Sequence, residues 1–268
     1  MIRGLYTSAS GMLVQQTNQD VIANNLANVN TPSYKKDMAV FRAFPEMLIR
    51  RMADFSPPEP GQTEKNPVIG RLGTGATPDG IMTDFSYSGV RVTDNPTDLA
   101  LNGKGYFVVN TPDGERYTRN GQFSVRADGT VVSPDGYQLL GQKGPIVVPA
   151  NAKIHVDANG RIFNGDQELD QLRIMGFDEP VAGQEPILEK QGDSLFRLSG
   201  QQQGNGTLRE MTAGETEVKS GSLELANVNV VQEMVQMISA ARAYEANQKA
   251  IQAQDGTLDK ACGELGRA

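Results

Sequence analysis

Val230-Val-Gln-Glu-Met-Val-Gln-Met-Ile-Ser-Ala-Ala-Arg-Ala-Tyr-Glu-Ala-Asn-Gln-Lys-Ala-Ile251 decides how the chain is to be read. Val230, Met237, Tyr244 and Ile251, continued by Leu258, fall seven apart, and Met234 and Ala241 take the second seam position of a heptad. A helix over 220–260 is expected. Val231, Val235 and Ile238 widen its apolar arc beyond the stripe that packing on one core requires. A wide arc implies more than one partner helix.

The other end of the chain mirrors this one. Ile2, Leu5, Ala9 and Met12, then Gln16 and Gln19, then Ala23 and Leu26 alternate in steps of three and four, which predicts a helix over 4–30 with a coiled-coil seam. Asn30-Thr-Pro32 stops it, because the residue before a proline is pushed out of the helical region. Periodicity leaves a plainer arrangement open, in which both terminal helices cover a central domain.

Between the helices the pattern changes to short apolar runs: Tyr106-Phe-Val-Val109, Gln122-Phe-Ser-Val125, Thr130-Val-Val132, Tyr137-Gln-Leu-Leu140, Ile146-Val-Val148 and Lys153-Ile-His-Val156. Pro112-Asp-Gly114, Asp128-Gly129, Pro134-Asp-Gly136, Asn159-Gly160 and Asn164-Gly165 separate them, supplying the positive φ angles of tight hairpins. The fold class expected is α+β: paired N- and C-terminal coiled-coil helices flanking a mainly antiparallel β-domain with irregular connectors. The expected boundaries are a helical segment 1–35, an extended connector 36–89, the β-domain 90–200, a connector 201–221 and a helical segment 222–268.

Composition removes several function classes. Lys+Arg 25 against Asp+Glu 32 gives a formal charge of −7 without a basic cluster, which argues against nucleic acid as a partner. No apolar run reaches the ~18–20 residues of a membrane helix, so membrane insertion is not expected. The start of the chain lacks the layout of a cleaved secretory signal. One cysteine, Cys262, and one histidine, His155, cannot build an ordinary zinc site, and His155 reads as a strand residue between Ile154 and Val156. Gly70-Arg-Leu-Gly-Thr-Gly75 and Gly103-Lys-Gly105 lack the strand-to-helix setting of a phosphate loop. Neither an enzyme, a cofactor nor a metal is expected.

Three blocks carry a resemblance. Gly4-Leu-Tyr-Thr-Ser-Ala-Ser-Gly11 with Asp20-Val-Ile-Ala-Asn-Asn-Leu-Ala-Asn-Val-Asn-Thr-Pro32 and Tyr34-Lys35 resembles the N-terminal signature of flagellar rod and hook proteins. Ser222-Leu-Glu-Leu-Ala-Asn-Val-Asn-Val-Val231, Glu233-Met-Val-Gln-Met-Ile238 and Arg242-Ala-Tyr-Glu245 resemble the C-terminal one. Asn95-Pro-Thr-Asp-Leu-Ala100, Gly103-Lys-Gly-Tyr-Phe107 and Tyr117-Thr-Arg-Asn-Gly121 match between them. One position departs: members of the family usually carry glycine where this chain has Ser33, which suggests a turn in ordinary φ space.

The resemblance implies a subunit of the basal-body rod whose terminal helices pair and stack with neighbours around an export channel, the β-domain lying outside. It also implies other rod and hook proteins as partners, passage through the flagellar export apparatus without a cleaved signal, basal-body ring proteins as further partners, and a place outside the inner membrane. Leu5, Met12 and Leu26 with Val230, Met234, Met237, Ile238, Ala241, Tyr244 and Ile251 are the assembly residues expected on that reading. Glu189–Ser199 and Gly144–Pro149 are more similar to proximal rod proteins, and Ile69–Gly75 to distal ones, with the proximal reading preferred. Two alternatives stand behind it. One is a sugar- or peptidoglycan-binding β-domain using Tyr106, Phe107, Tyr117, Phe123 and Tyr137, and the other is wall hydrolysis by a carboxylate pair.

Overall fold

The computed structural model describes residues 2–50, 68–149, 154–165, 167–176, 188–192, 194–198, 209–211 and 216–265. Two long helices stand at the ends, α1 over Ile2–Ala27 and α2 over Val230–Leu265, and the strands between them pair mostly antiparallel. The contacts divide into two compact units: Met1–Leu26, Asp37–Met82 and Asn229–Ala268 in one, Ala27–Lys36 and Thr83–Val228 in the other.

The start of α2 follows from Asn229. Its side-chain Oδ1 accepts from the amides of Val231 and Gln232, at 3.1 and 3.2 Å, satisfying donors that a helix start leaves unpaired. Of the ten residues expected to be helical ahead of α2, Ser220 and Ser222–Glu224 are strand, Gly221 is a turn between them, and 225–228 are irregular chain leading to the Asn229 cap.

In the first unit, the described residues of the expected connector 36–89 include paired strands. Asp37–Ala43 pairs with Ala76–Thr83, and Met47–Arg50 pairs with Val68–Leu72. The proline-rich Ser56–Gly61 stretch lies outside the described residues. The paired strands carry large exposed apolar side chains, among them Met38, Leu48, Ile69 and Ile81.

The second unit is the β-domain, and it is larger than the expected 90–200. Its main sheet runs Leu188–Gly192, Leu195–Leu198, Gly114–Thr118, Tyr106–Thr111, Gln138–Gly141, Val131–Val132, Ser124–Val125. A smaller sheet joins Ile154–Val156, Arg161–Asn164 and Gln167–Gln171, and His155 is exposed on the first of these strands. Phe107, Leu101, Leu139 and Ile146 are almost fully enclosed in the core between them. Each such side chain stabilises the fold by about 1.5–3 kcal/mol.

The end of the expected connector 201–221 is strand, because Glu217–Ser220 pairs with Leu99–Asn102 and places Val218 in the core. Ser222–Glu224 then pairs with Val90–Val92. Gly121 explains one signature glycine: a Cβ there would stand 1.6 Å from the Leu99 carbonyl oxygen.

Ser33 overturns the expectation of ordinary φ space. Its φ is 56°, its residue is buried, and its hydroxyl has no hydrogen-bond partner. Its amide donates to the Glu224 carbonyl at 2.9 Å, so pairing with the chain's far end holds the turn in the left-handed region.

Candidate assembly interface

Along α1 and α2 the covered positions recur in steps of three and four. On α2 the expected row Val230, Met237, Tyr244, Ile251 and Leu258 is half-buried throughout. The second row is Glu233, Ala240, Asn247 and Gln254, one residue earlier than the expected Met234 and Ala241. Counting apolar residues hid this row because three of its four members are polar. On α1 the buried residues are Val14, Val21, Ile22 and Asn25, a different phase from the expected seam, of which Gln16 and Ala23 are exposed.

Three contacts fix the register. A Cβ on Gly4 would lie 2.6 Å from Gln254 Nε2, and one on Gly11 would lie 2.9 Å from Asn247 Nδ2. Asn25 Nδ2 donates to Glu233 Oε2 at 3.4 Å. Seven residues up α1 match seven down α2, and the next fourteen match fourteen, so the contacts are antiparallel and keep one register. Long polar side chains of α2 lie over glycines of α1. Asn25 also brackets Asp37, donating to its carbonyl at 2.8 Å and accepting from its amide at 2.9 Å, which ties the Asp37–Ala43 strand to the helix.

Of the expected assembly residues, Leu5, Met12, Leu26, Val230, Met237, Ala241, Tyr244 and Ile251 are half-buried, while Met234 and Ile238 are exposed. Met234 and Ile238 belong with Val231, which is 72% exposed, and Val235, which is 61% exposed, to one apolar stripe along the first turns of α2. Tyr6 and Leu13, seven apart, are likewise exposed on α1.

The signature blocks meet elsewhere, in the β-domain, around a buried carboxylate. Glu224 Oε1 accepts from Lys35 Nζ at 2.8 Å, and Oε2 accepts from Arg119 Nε at 2.6 Å. All three residues are at most 5% exposed. Lys35 also donates to the Ser86 carbonyl, and Arg119 to the carbonyls of Leu101, Gly103 and Gly105. Burial pushes the Glu224 carboxyl up, but the charges and hydrogen bonds of Arg119 and Lys35 outweigh it and hold the group below its ordinary value. Burial also pushes the Tyr106 hydroxyl up to about 12, so the ring facing Arg119 stays neutral. Lys35, Arg119 and Glu224 lie in three separate sequence motifs, and nothing local in the sequence signals that they touch.

The aromatic residues considered for sugar binding do not form an exposed groove. Phe107, Tyr117 and Phe123 are buried, and Tyr106 and Tyr137 are half-buried against the core. Among the described residues no group of three histidine, cysteine, aspartate or glutamate side chains could hold a metal ion.

Three family models match along the chain. They are the flagella basal body rod protein model over residues 5–35, the flagellar hook protein FlgE/F/G D1 domain over 100–164, and the flagellar basal body rod FlgEFG protein C-terminal model over 219–262. The chain is 33% identical to the flagellar hook-basal body complex protein FlhO of Bacillus subtilis, covering 100% of both chains. It is 34% identical to the flagellar basal-body rod protein FlgG of Bacillus subtilis, over 97% of this chain and 98% of that one. With the FlgG of Caulobacter vibrioides it shares 35% identity, over 96% of this chain and 97% of the other.

The chain belongs to the flagellar basal-body rod protein family. It is a structural subunit of the flagellum, not an enzyme. Each matched segment of this rod-family chain contributes one member of the triad: Lys35 the first, Arg119 the second, Glu224 the third. No helix among the described residues is long and apolar enough to cross a membrane.

Proposed function

We propose that the protein polymerises through its terminal helices into the tubular shaft of the rod, α1 and α2 forming an intramolecular coiled coil whose outer faces receive the helices of neighbouring subunits. The stripe Val231, Met234, Val235 and Ile238 supports this reading, since four large apolar side chains lie exposed within eight residues of a helix whose opposite side is already covered. A contact in which α2 of one copy meets a different face of the next is heterologous, and when its rotation does not close a ring, repeated contacts generate helical tubes and filaments.

Other rod and hook proteins are the partners on this reading, with ring proteins facing the β-domain. The chain reaches its place outside the inner membrane through the flagellar export apparatus without losing a signal peptide. Along the rod, the proximal segment is supported by the likeness of Glu189–Ser199 and Gly144–Pro149 to proximal rod proteins.

Electron microscopy of concentrated protein tests the reading. Filaments or short tubes are expected from the wild type and none from Val235→Asp, whose melting curve should match the wild type because the side chain is exposed. Filaments from Val235→Asp, or loss of its β-domain melt, would overturn the assignment of the stripe. Site-specific cross-linking in intact basal bodies decides between proximal and distal placement.

A further inference from the structure

The triad sits where both flanks of the β-domain meet. Lys35 and Glu224 are 189 residues apart in sequence, and each stands in a segment laced to the other. The Ser33 amide donates to the Glu224 carbonyl, the Asn227 amide to the Tyr34 carbonyl at 3.2 Å, and the Lys36 amide to Asn227 Oδ1 at 2.6 Å. The same strap reaches the rest of the domain. Asp84 donates its amide to the Lys36 carbonyl, Lys190 Nζ donates to the Lys35 carbonyl at 2.6 Å, and Leu225 donates its amide to the Gly89 carbonyl. Arg119, on the loop that follows the Gly114–Thr118 strand, ties the carboxylate to the Leu101–Gly105 backbone.

Removing Glu224 leaves two buried cations without the anion they share, whereas removing one cation leaves the other pair in place. Before Glu224 arrives, Lys35 and Arg119 are two cations facing the same point, and burying them together is unfavourable. Without residues 216–228 the domain also lacks two paired strands and the core residue Val218. Closing so long a loop is entropically costly before these contacts repay it, which places the pairing late.

We infer that the Lys35–Glu224–Arg119 triad is a closure device: the β-domain becomes one stable unit only when segment 216–228 joins strap 27–36 across Glu224. A chain that leaves a narrow exit N-terminus first thus keeps its β-domain open until Glu224 is free, late in its length. The inference concerns the single subunit and holds whether or not the helices assemble as proposed above.

Pulse-labelled hydrogen exchange during refolding of the dilute full chain tests it. The amides of Ser33 and Leu225 report the closure, and those of Phe107, Val108 and Leu139 report the core. All five are expected to gain protection in one kinetic phase. Core amides protected ten-fold or more before Ser33 and Leu225 would overturn the inference. At equilibrium, Glu224→Gln is expected to speed exchange of closure and core amides together, by roughly a hundred-fold or more. Should Glu224→Gln fail to fold, Lys35→Met leaves the Arg119–Glu224 pair in place and should give the same joint acceleration more weakly. If either folded variant speeds Ser33 and Leu225 while leaving the core amides within two-fold of the wild type, the triad is a local clasp and the inference fails.

Discussion

Ser33 has a β-carbon held at φ 56° and a buried hydroxyl without a hydrogen-bond partner. The left-handed conformation costs a non-glycine residue about 1–2 kcal/mol, and a buried unpaired hydroxyl adds about 1–3 kcal/mol. Glycine removes both costs, at the expense of a more flexible unfolded chain, a loss of about 0.4–1 kcal/mol. Ser33→Gly is therefore expected to raise the stability of the β-domain by about 1–4 kcal/mol. Denaturant unfolding of the two full chains checks this, and a lower midpoint for the variant would show that the serine makes a favourable contact. The motif marked Ser33 as the position that departs from its family, but not the conformation. A turn whose φ is set by a hydrogen bond from the Ser33 amide to the Glu224 carbonyl, far along the chain, has no local signature.

At the scale of the element, heptad spacing revealed both helices and one complete row of α2. It misplaced the second row because Glu233, Asn247 and Gln254 are polar and were not counted. They are covered because α1 offers glycines opposite two of them, so shape rather than hydropathy selects those positions. This arrangement has a direct test. With Cys262, which is exposed, replaced by serine, the pair Gly4→Cys and Gln254→Cys is expected to form an intramolecular disulfide in the dilute subunit. Adding Gly11→Leu should reduce the yield several-fold, because even a Cβ there lies 2.9 Å from Asn247 Nδ2 and the longer side chain forces the helices apart. Equal trapping with and without Gly11→Leu would refute the glycine-set register. Within the expected connector 36–89 the described strands escape sequence reading for a similar reason: they pair across a long separation, and Ala76–Thr83 contains Pro78 and Gly80, which weaken a strand signal.

For the molecule as a whole, the buried triad links stability to pH. Glu224 has a folded-state pKa below its ordinary value of 4.5, so the unfolded chain binds the proton more readily. Its contribution is fully present above about pH 4.5 and is lost as pH falls through the lower, folded value. Asp84 is lowered as well, since hydrogen bonds from Ser86 and the charge of Lys36 outweigh its partial burial, and it contributes to the acid slope in the same direction. Stability measured by denaturant titration is expected to fall below about pH 4.5, and more shallowly in Glu224→Gln, which keeps the Asp84 contribution but has no carboxyl at position 224. Identical slopes would mean that the Glu224 pKa does not change on folding.

The sequence by itself determined the two terminal helices, the antiparallel β-domain between them and membership of the rod family. Each of these is written in local features: a repeat of seven, hairpin turns built on Asp-Gly and Asn-Gly, and three contiguous motifs. Tertiary structure alone decided that Lys35, Arg119 and Glu224 meet and that the β-domain takes in residues 27–36 and 216–228. It also decided that polar residues of α2 lie over glycines of α1. The reason is physical. Periodicity and turn chemistry act between residues a few positions apart, whereas a buried charge can be satisfied by any opposite charge the fold brings near, and a chain offering 25 cations and 32 acidic residues does not mark the three that are enclosed together.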